Sequence, residues 1–266
     1  RRCDARGYGH QRRASEMESQ MTSELGQRLR FVVAFTWFYG YSGMKRGPFF
    51  VLSYLSLPLS LLFFIYVISH GAYLAFGVLG GILGIVSGNS LTSVGDFVFL
   101  RRELKIQDLL VASRVRAMDY ATALMLSNLV YSLPGLILYA VLGALLHIYD
   151  LAGFGILVIM VVVLSVSSTS MAMLIASHVR HMRNVWGISS LLSVLLTLLP
   201  PLYYPYSDLP KYAFYVLLVS PSTPISALSQ WYLGLQPASP LSLIAVLVQL
   251  VIYPTLAIKF MKWVDE

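Results

Sequence analysis

Six long runs of apolar residues, separated by shorter polar connections, organise this chain: roughly Pro48–Ile68, Ala72–Gly95, Tyr120–Leu146, Leu151–Ser177, Val185–Leu202 and Pro240–Phe260. None holds Asp, Glu, Lys or Arg until its last residues. Each reaches the length of about 20 residues that a helix needs to cross hydrocarbon. The pattern therefore predicts an all-α integral membrane protein with six transmembrane helices. A shorter run precedes them. From Ser23, a plausible N-cap, Leu25, Leu29, Val32, Val33 and Phe35/Thr36 recur near helical spacing, with Arg28 and Arg30 flanking the stripe and Trp37, Tyr39 and Tyr41 following it. That composition predicts an amphipathic helix lying along the inner membrane surface, ended by Gly43 and turned into the first span by Lys45–Pro48.

Charge then fixes the orientation. The residues before Pro48 carry nine Lys and Arg, the connection 96–118 five, 178–184 two and the tail from Lys259 two. The connections at 69–71 and 147–150 carry none, and the one at 203–239 carries only Lys211. Basic residues resist translocation, so both termini are expected in the cytoplasm of a multi-pass plasma-membrane protein. The net charge of +7 lies mostly beside the membrane, where it meets lipid headgroups, and is no nucleic-acid signal.

Composition agrees: 57% of residues are hydrophobic and 12% charged, with a mean hydropathy of +0.72. No connection is long enough for a separate catalytic domain, so residues 23–266 are expected to form one membrane domain. Residues 1–22 are polar, without a periodic apolar face or an apolar signal-peptide core, and are expected to be a disordered extension, with Met17 or Met21 as the natural start. Cys3 stands alone, which leaves no intrachain disulfide and no cysteine-based metal site.

Within the spans, the second carries Gly77, Gly80, Gly81, Gly84 and Gly88, pairs at i, i+4 that let helices approach closely in lipid. The fifth carries Ser189, Ser190, Ser193 and Thr197, of which the last three are expected on one face.

Two connections stand out. Between spans two and three, Asp96–Asp119 alternates charges with Leu104, Leu109 and Leu110, which fits either a short helix docking into a partner's groove or a solvated loop. Between spans five and six, residues 199–232 are too apolar for a free loop. Pro200, Pro201, Pro205, Pro210, Pro221 and Pro224 forbid one continuous helix. Short re-entrant helices that dip into the outer leaflet would reconcile these facts, provided protein covers the broken backbone.

In this order among six spans, these stretches resemble the type 2 ABC exporter permeases, a family of drug, polysaccharide and lipid exporters. Arg102-Glu103 matches that family's arginine–glutamate pair, Ile106-Gln107-Asp108 stands at its threonine-leucine-glutamate, and Leu110-Val111 fills its leucine pair. Lys105 replaces the usual glycine, and Arg114 follows Ser113 where proline is common. Later, Tyr204-Pro205, Leu209-Pro210 and Ser220-Pro221-Ser222-Thr223 follow its aromatic-proline, leucine-proline and asparagine-proline-x-threonine motifs, with Gln230 near a frequent arginine.

The resemblance implies a permease that pairs with a second permease copy or a paralogue and docks a separate ABC ATPase subunit. Docking would use a cytoplasmic coupling helix, with Arg101, Arg102, Glu103, Gln107, Asp108, Leu109 and Leu110. ATP and Mg would bind the partner subunit and no cofactor this chain, in keeping with the absence of any Gly-Lys dipeptide for a P-loop. Candidate path residues on spans two and five are Asn89, Ser93, Ser190, Ser193 and Thr197. Pro205, Pro210, Pro221 and Thr223 would shape the external re-entrant motif.

Two other readings compete with this one. An ion-coupled secondary carrier needs titrating or ion-binding groups inside the membrane, yet Asp96, Asp119, Asp150 and Asp208 all fall at or outside span ends. A sodium site of hydroxyls and carbonyls stays open. An integral membrane enzyme is disfavoured: His178 and His181 sit beside Arg180 and Arg183 as a basic cap, and no carboxylate close in sequence completes a ligand set.

Overall fold

The computed structural model describes residues 24–41, 45, 48–113, 115–179 and 185–261. The 1–22 extension, the Ser23 cap, Gly43, Arg46, Gly47, Arg114, Arg180, His181, Arg183 and Lys262 lie outside the described residues, as do the side chains of Gln107 and Asp108.

The described residues form helices and connections without a strand. Helix α1 covers 24–36 and continues as a π-helical turn, Trp37–Tyr41. After it come α2 (Pro48–Ser69), α3 (Leu74–Arg102), α4 (Ile106–Ala112), α5 (Ala117–Leu145), α6 (Leu151–His178) and α7 (Val185–Leu198). Two short helices, α8 (Lys211–Leu217) and α9 (Ser222–Tyr232), precede α10 (Pro240–Phe260). Four helices, α3, α5, α6 and α10, are long and apolar enough to cross a membrane. The shorter apolar helices are Leu55–Ser69 within α2, and α7. The 14 residues of α7 rise only about 21 Å, against hydrocarbon about 30 Å thick. Its helix stops at Leu198 because Pro200 and Pro201 follow, short of the expected Leu202.

Helix α3 is the axis of the fold. Of its most apolar window 78% is buried, against 22–39% for the other three long helices, and α2, α5, α6, α7 and α9 all pack on it. Its glycines explain the density. A Cβ on Gly77 would lie 2.7 Å from Leu62 of α2, and one on Gly81 would lie within the Tyr139 ring of α5. A Cβ on Gly80 would meet Tyr203 at 2.5 Å. The i, i+4 pairs expected to serve one neighbour thus serve three surfaces, because 80, 84 and 88 face one way and 77 and 81 others.

The structure lengthens span two. Expected to end at Gly95, α3 runs on for two more turns to Arg102, where Glu103 N donates to Phe99 O at 3.0 Å. At about 1.5 Å per residue its 29 residues outreach the hydrocarbon, so Arg101 and Arg102 sit in a last turn where cations meet the helix's negative end.

Helix α1 divides its apolar residues between two faces. Phe31, Phe35 and Tyr39 pack on the cluster that includes Tyr120, and Arg28 Nε lies 3.9 Å from Asp119 Oδ2 of α5. Leu25, Leu29, Val33 and Trp37, each four residues on, form an outward ridge at least 60% exposed.

Candidate functional site

Three places hold the residues singled out from the sequence. At the basic end, α4 follows α3 after a short turn in which Lys105 takes φ +47°. That left-handed conformation suits glycine, the residue usual there in the resembling family. Arg101, Arg102 and Glu103 belong to the end of α3 rather than to the short helix. Ile106 and Leu110, one turn apart, pack against the buried cluster around Tyr120 and Phe97. Leu109 turns away and is 68% exposed, next to Leu104 at 49%. The expected docking residues therefore split between a face that anchors α4 and a face that leaves it open.

The second place is the seam between α3 and α7, which run antiparallel. Ser189 donates to the Thr92 carbonyl at 2.5 Å and accepts from Gly95 N at 3.2 Å. Ser193 donates to the Gly88 carbonyl at 3.1 Å. Further along, Thr197 is buried beside Gly84 and Gly88, and the Tyr203 ring lies along Gly80 and Gly84. The hydroxyl stripe of α7 is therefore Ser189, Ser193 and Thr197. Ser190, expected with Ser193 and Thr197, points outward and is exposed. The i, i+4, i+8 set wins because it meets the small-residue face of α3. Asn89 faces the other way and donates to Ser132 Oγ of α5 at 2.9 Å, and Ser93 donates to the Ser90 carbonyl. The five candidate path residues consequently do not line one cleft within the chain.

The third place lies between α7 and α10. Pro205, Pro210 and Pro221 occupy the N-cap positions of the 3-10 turn Tyr206–Asp208, of α8 and of α9, where a missing N–H costs nothing. Ser222 Oγ meets Ser87 Oγ at 2.6 Å, so the turn joining α8 to α9 lies beside the middle of α3. Broken backbone there has to be satisfied by protein. Leu217 O accepts from Thr223 Oγ1 at 2.6 Å, Leu218 O from Gln249 Nε2 at 2.5 Å, and Val219 O from Tyr253 OH. Before the turn, Leu196 O accepts from Ser220 Oγ at 3.0 Å and Leu199 O from Tyr204 OH at 2.5 Å. Pro201 O takes both Ser226 Oγ and Gln230 Nε2, while Gln230 Oε1 accepts from Tyr206 N at 3.1 Å. Sequence reasoning missed Gln249 and Tyr253. Their signal was two polar groups one turn apart in an otherwise apolar span. Burial raises the pKa of the Tyr204 and Tyr206 hydroxyls, which keeps both protonated as donors.

Among the described residues no three His, Cys, Asp or Glu gather as a metal site. The arrangement holds a serine–histidine contact, Ser177 Oγ to His178 Nδ1 at 3.1 Å, at a helix end where both groups are also bonded to the Leu174 carbonyl. What it offers is a helical membrane body with one projecting helix at its basic end.

Such an architecture is that of a multi-pass membrane protein. The sequence model of the ABC-2 type transporter family matches residues 34–233, about three-quarters of the 266-residue chain, and the chain belongs to that family. It is accordingly a membrane permease of an ABC transporter. No curated protein matches the chain.

Proposed function

We propose that this chain is the transmembrane permease of an ATP-driven exporter in the plasma membrane. Residues 23–266 form its one domain, with α2 and α7 crossing alongside the four longer helices to make six spans. The basic end, with both termini, faces the cytoplasm; α1 lies in the inner leaflet's interface, and α8 and α9 are re-entrant from outside. The carrying observation is Leu109: an exposed apolar side chain on a short helix whose opposite face, Ile106 and Leu110, is fixed to the body. That geometry suits a groove on a soluble partner.

The partner is a separate ABC ATPase, which binds ATP and Mg. Two permeases, identical or paralogous, assemble with two such subunits. Closure of the ATPase pair moves α4, and because Ile106 and Leu110 tie α4 to the cluster beneath α3 and α5, the motion passes to those helices as a lever. The apolar and hydroxyl-lined spans, without fixed charge at mid-depth, suit a lipophilic or amphiphilic cargo. Asn89, Ser93, Ser190, Ser193 and Thr197 remain the path candidates across an assembled pair, Ser190 foremost because it faces outward.

Affinity purification of the tagged chain in mild detergent tests this reading. A copurifying P-loop ATPase, lost when 106–112 is scrambled in a variant of unchanged melting temperature, is the expected result. A permease recovered alone under several gentle conditions would overturn it.

A further inference from the structure

A groove of about 300 Å³ opens between α5 and α6, away from the α3–α7 seam, and its wall is apolar throughout. Ile82 of α3, 5% exposed, forms its floor. Leu133 and Ile137 make one rim, Phe154 and Val158 the other, and Val161 closes the end. The volume falls at the low end of small-molecule sites, about 300–1,000 Å³.

Three observations decide the occupant. The wall offers no polar atom from a side chain, so a headgroup or a polar solute would lose its hydrogen bonds there. Along α6 the groove begins one turn from Leu151 and runs from Phe154 to Val161, about 10 Å, which is hydrocarbon depth for a helix entering at Leu151. Its rims are continuous with the bare outer surface of the same helices: Ile137 is 60%, Val158 45% and Ile159 59% exposed. Left empty, the groove would forfeit the dispersion contacts of its lining.

We infer that this groove holds one acyl chain of a bilayer phospholipid, taken laterally from the leaflet at the α5–α6 junction. The chain lies between α5 and α6 and touches Ile82, which lipids merely surrounding the protein do not reach. Recognition is by shape and apolarity, so the headgroup remains outside and goes unselected. The inference rests on membrane embedding alone and stands apart from the exporter reading.

The test reconstitutes the full chain into phosphatidylcholine vesicles containing a phospholipid with a diazirine in its acyl chain, without ATP or any ATPase. After photolysis, labelled residues are mapped by mass spectrometry. Expected are adducts at Ile82 and on the facing walls, competed by excess unmodified phosphatidylcholine. Adducts at the outer positions Phe63 and Leu243 serve as the reference for surrounding lipid. In Val158→Trp and Ile137→Trp, substitutions at the exposed rims, the Ile82 adduct is lost while the reference adducts persist at an unchanged melting temperature. An unlabelled Ile82 beside labelled Phe63 and Leu243 overturns the inference. So do crosslinks joining two copies of the chain through Leu133 and Val158, which would make the occupant a second protomer. Because the vesicles hold no cargo, labelling assigns the groove to bulk phospholipid.

Discussion

The Gln230 side-chain amide donates to the Pro201 carbonyl at 2.7 Å, a bond between the proline pair that follows α7 and the later helix α9. The same amide also reaches Tyr204 O at 3.1 Å and accepts from Tyr206 N, so one fully buried side chain serves three backbone groups. Gln230→Leu keeps the volume and strands Tyr204 O and Tyr206 N, while Pro201 O keeps only its bond from Ser226 Oγ. Leaving buried backbone unsatisfied costs about 1–3 kcal/mol per group. We expect a loss of at least about 2 kcal/mol, read as a lower midpoint in thermal unfolding in detergent, whereas the neighbouring exposed Trp231→Phe changes it little.

The glycines of α3 permit a sharper contrast. A Cβ at Gly81 would sit 2.0 Å from the Tyr139 ring, which is fully buried, whereas one at Gly88 would make ordinary contact with Ser193 Oγ at 3.6 Å and Thr197 Oγ1 at 3.9 Å. Gly81→Ala is therefore expected to destabilise by about 1–3 kcal/mol through overpacking. Gly88→Ala is expected to be neutral or slightly stabilising, since alanine favours the helix. The double change Gly81→Ala with Tyr139→Leu should recover part of the loss. Equal effects of the two single changes would contradict the packing described for this face.

Much of this was legible in the chain, for physical reasons. Lipid demands long uncharged runs, so the helices α3, α5, α6 and α10 could be read directly, and the prolines showed that 199–232 is not one continuous helix. Helix ends were less legible: Asp96 ends the uncharged run, but no glycine or proline in Asp96–Arg102 breaks the helix, so α3 overran its expected end. Nor could composition tell which of Ser189 and Ser190 faced α3, one residue and about 100° apart. The partnerships of Gln249 with Leu218 and Tyr253 with Val219 join residues far apart in sequence and arise only on packing.

Lys105 carries a strained backbone at φ +47°, between α3 and α4. A non-glycine residue pays about 1–2 kcal/mol for that region. Lys105→Gly relieves it but gains freedom in the unfolded chain, so stability should change by less than about 1 kcal/mol. Lys105→Val, β-branched in the same turn, should be destabilising by clearly more. Unfolding of the three proteins in one detergent checks the order.

Tyr206 OH donates to Pro237 O at 2.6 Å, and its pKa is raised by burial. The protonated phenol is thus favoured by folding, so its contribution is complete below the ordinary value near 10 and is lost as pH rises through the higher folded value. The melting temperature should lose almost nothing from this group between pH 6 and 9, which lies below its ordinary value. Above about pH 10 it should fall, and Tyr206→Phe should lessen that alkaline decline. An identical alkaline slope in the variant would remove Tyr206 from the account.

Leu109 and Leu110 are adjacent yet have opposite surroundings, and this separates a docking role from a folding one. Leu110 packs with Ile106 against the cluster around Phe97 and Tyr120, so Leu110→Glu buries a charge and should lower the melting temperature markedly. Leu109 is 68% exposed, and Leu109→Glu should leave unfolding almost unchanged. If α4 docks into an ATPase, the same Leu109→Glu must nonetheless abolish copurification of that subunit, because the side chain would enter an apolar pocket as a charge. Retained ATPase binding with Leu109→Glu would place the contact elsewhere, on Arg102 and Glu103 at the end of α3, and charge reversal at those two positions would then carry the loss.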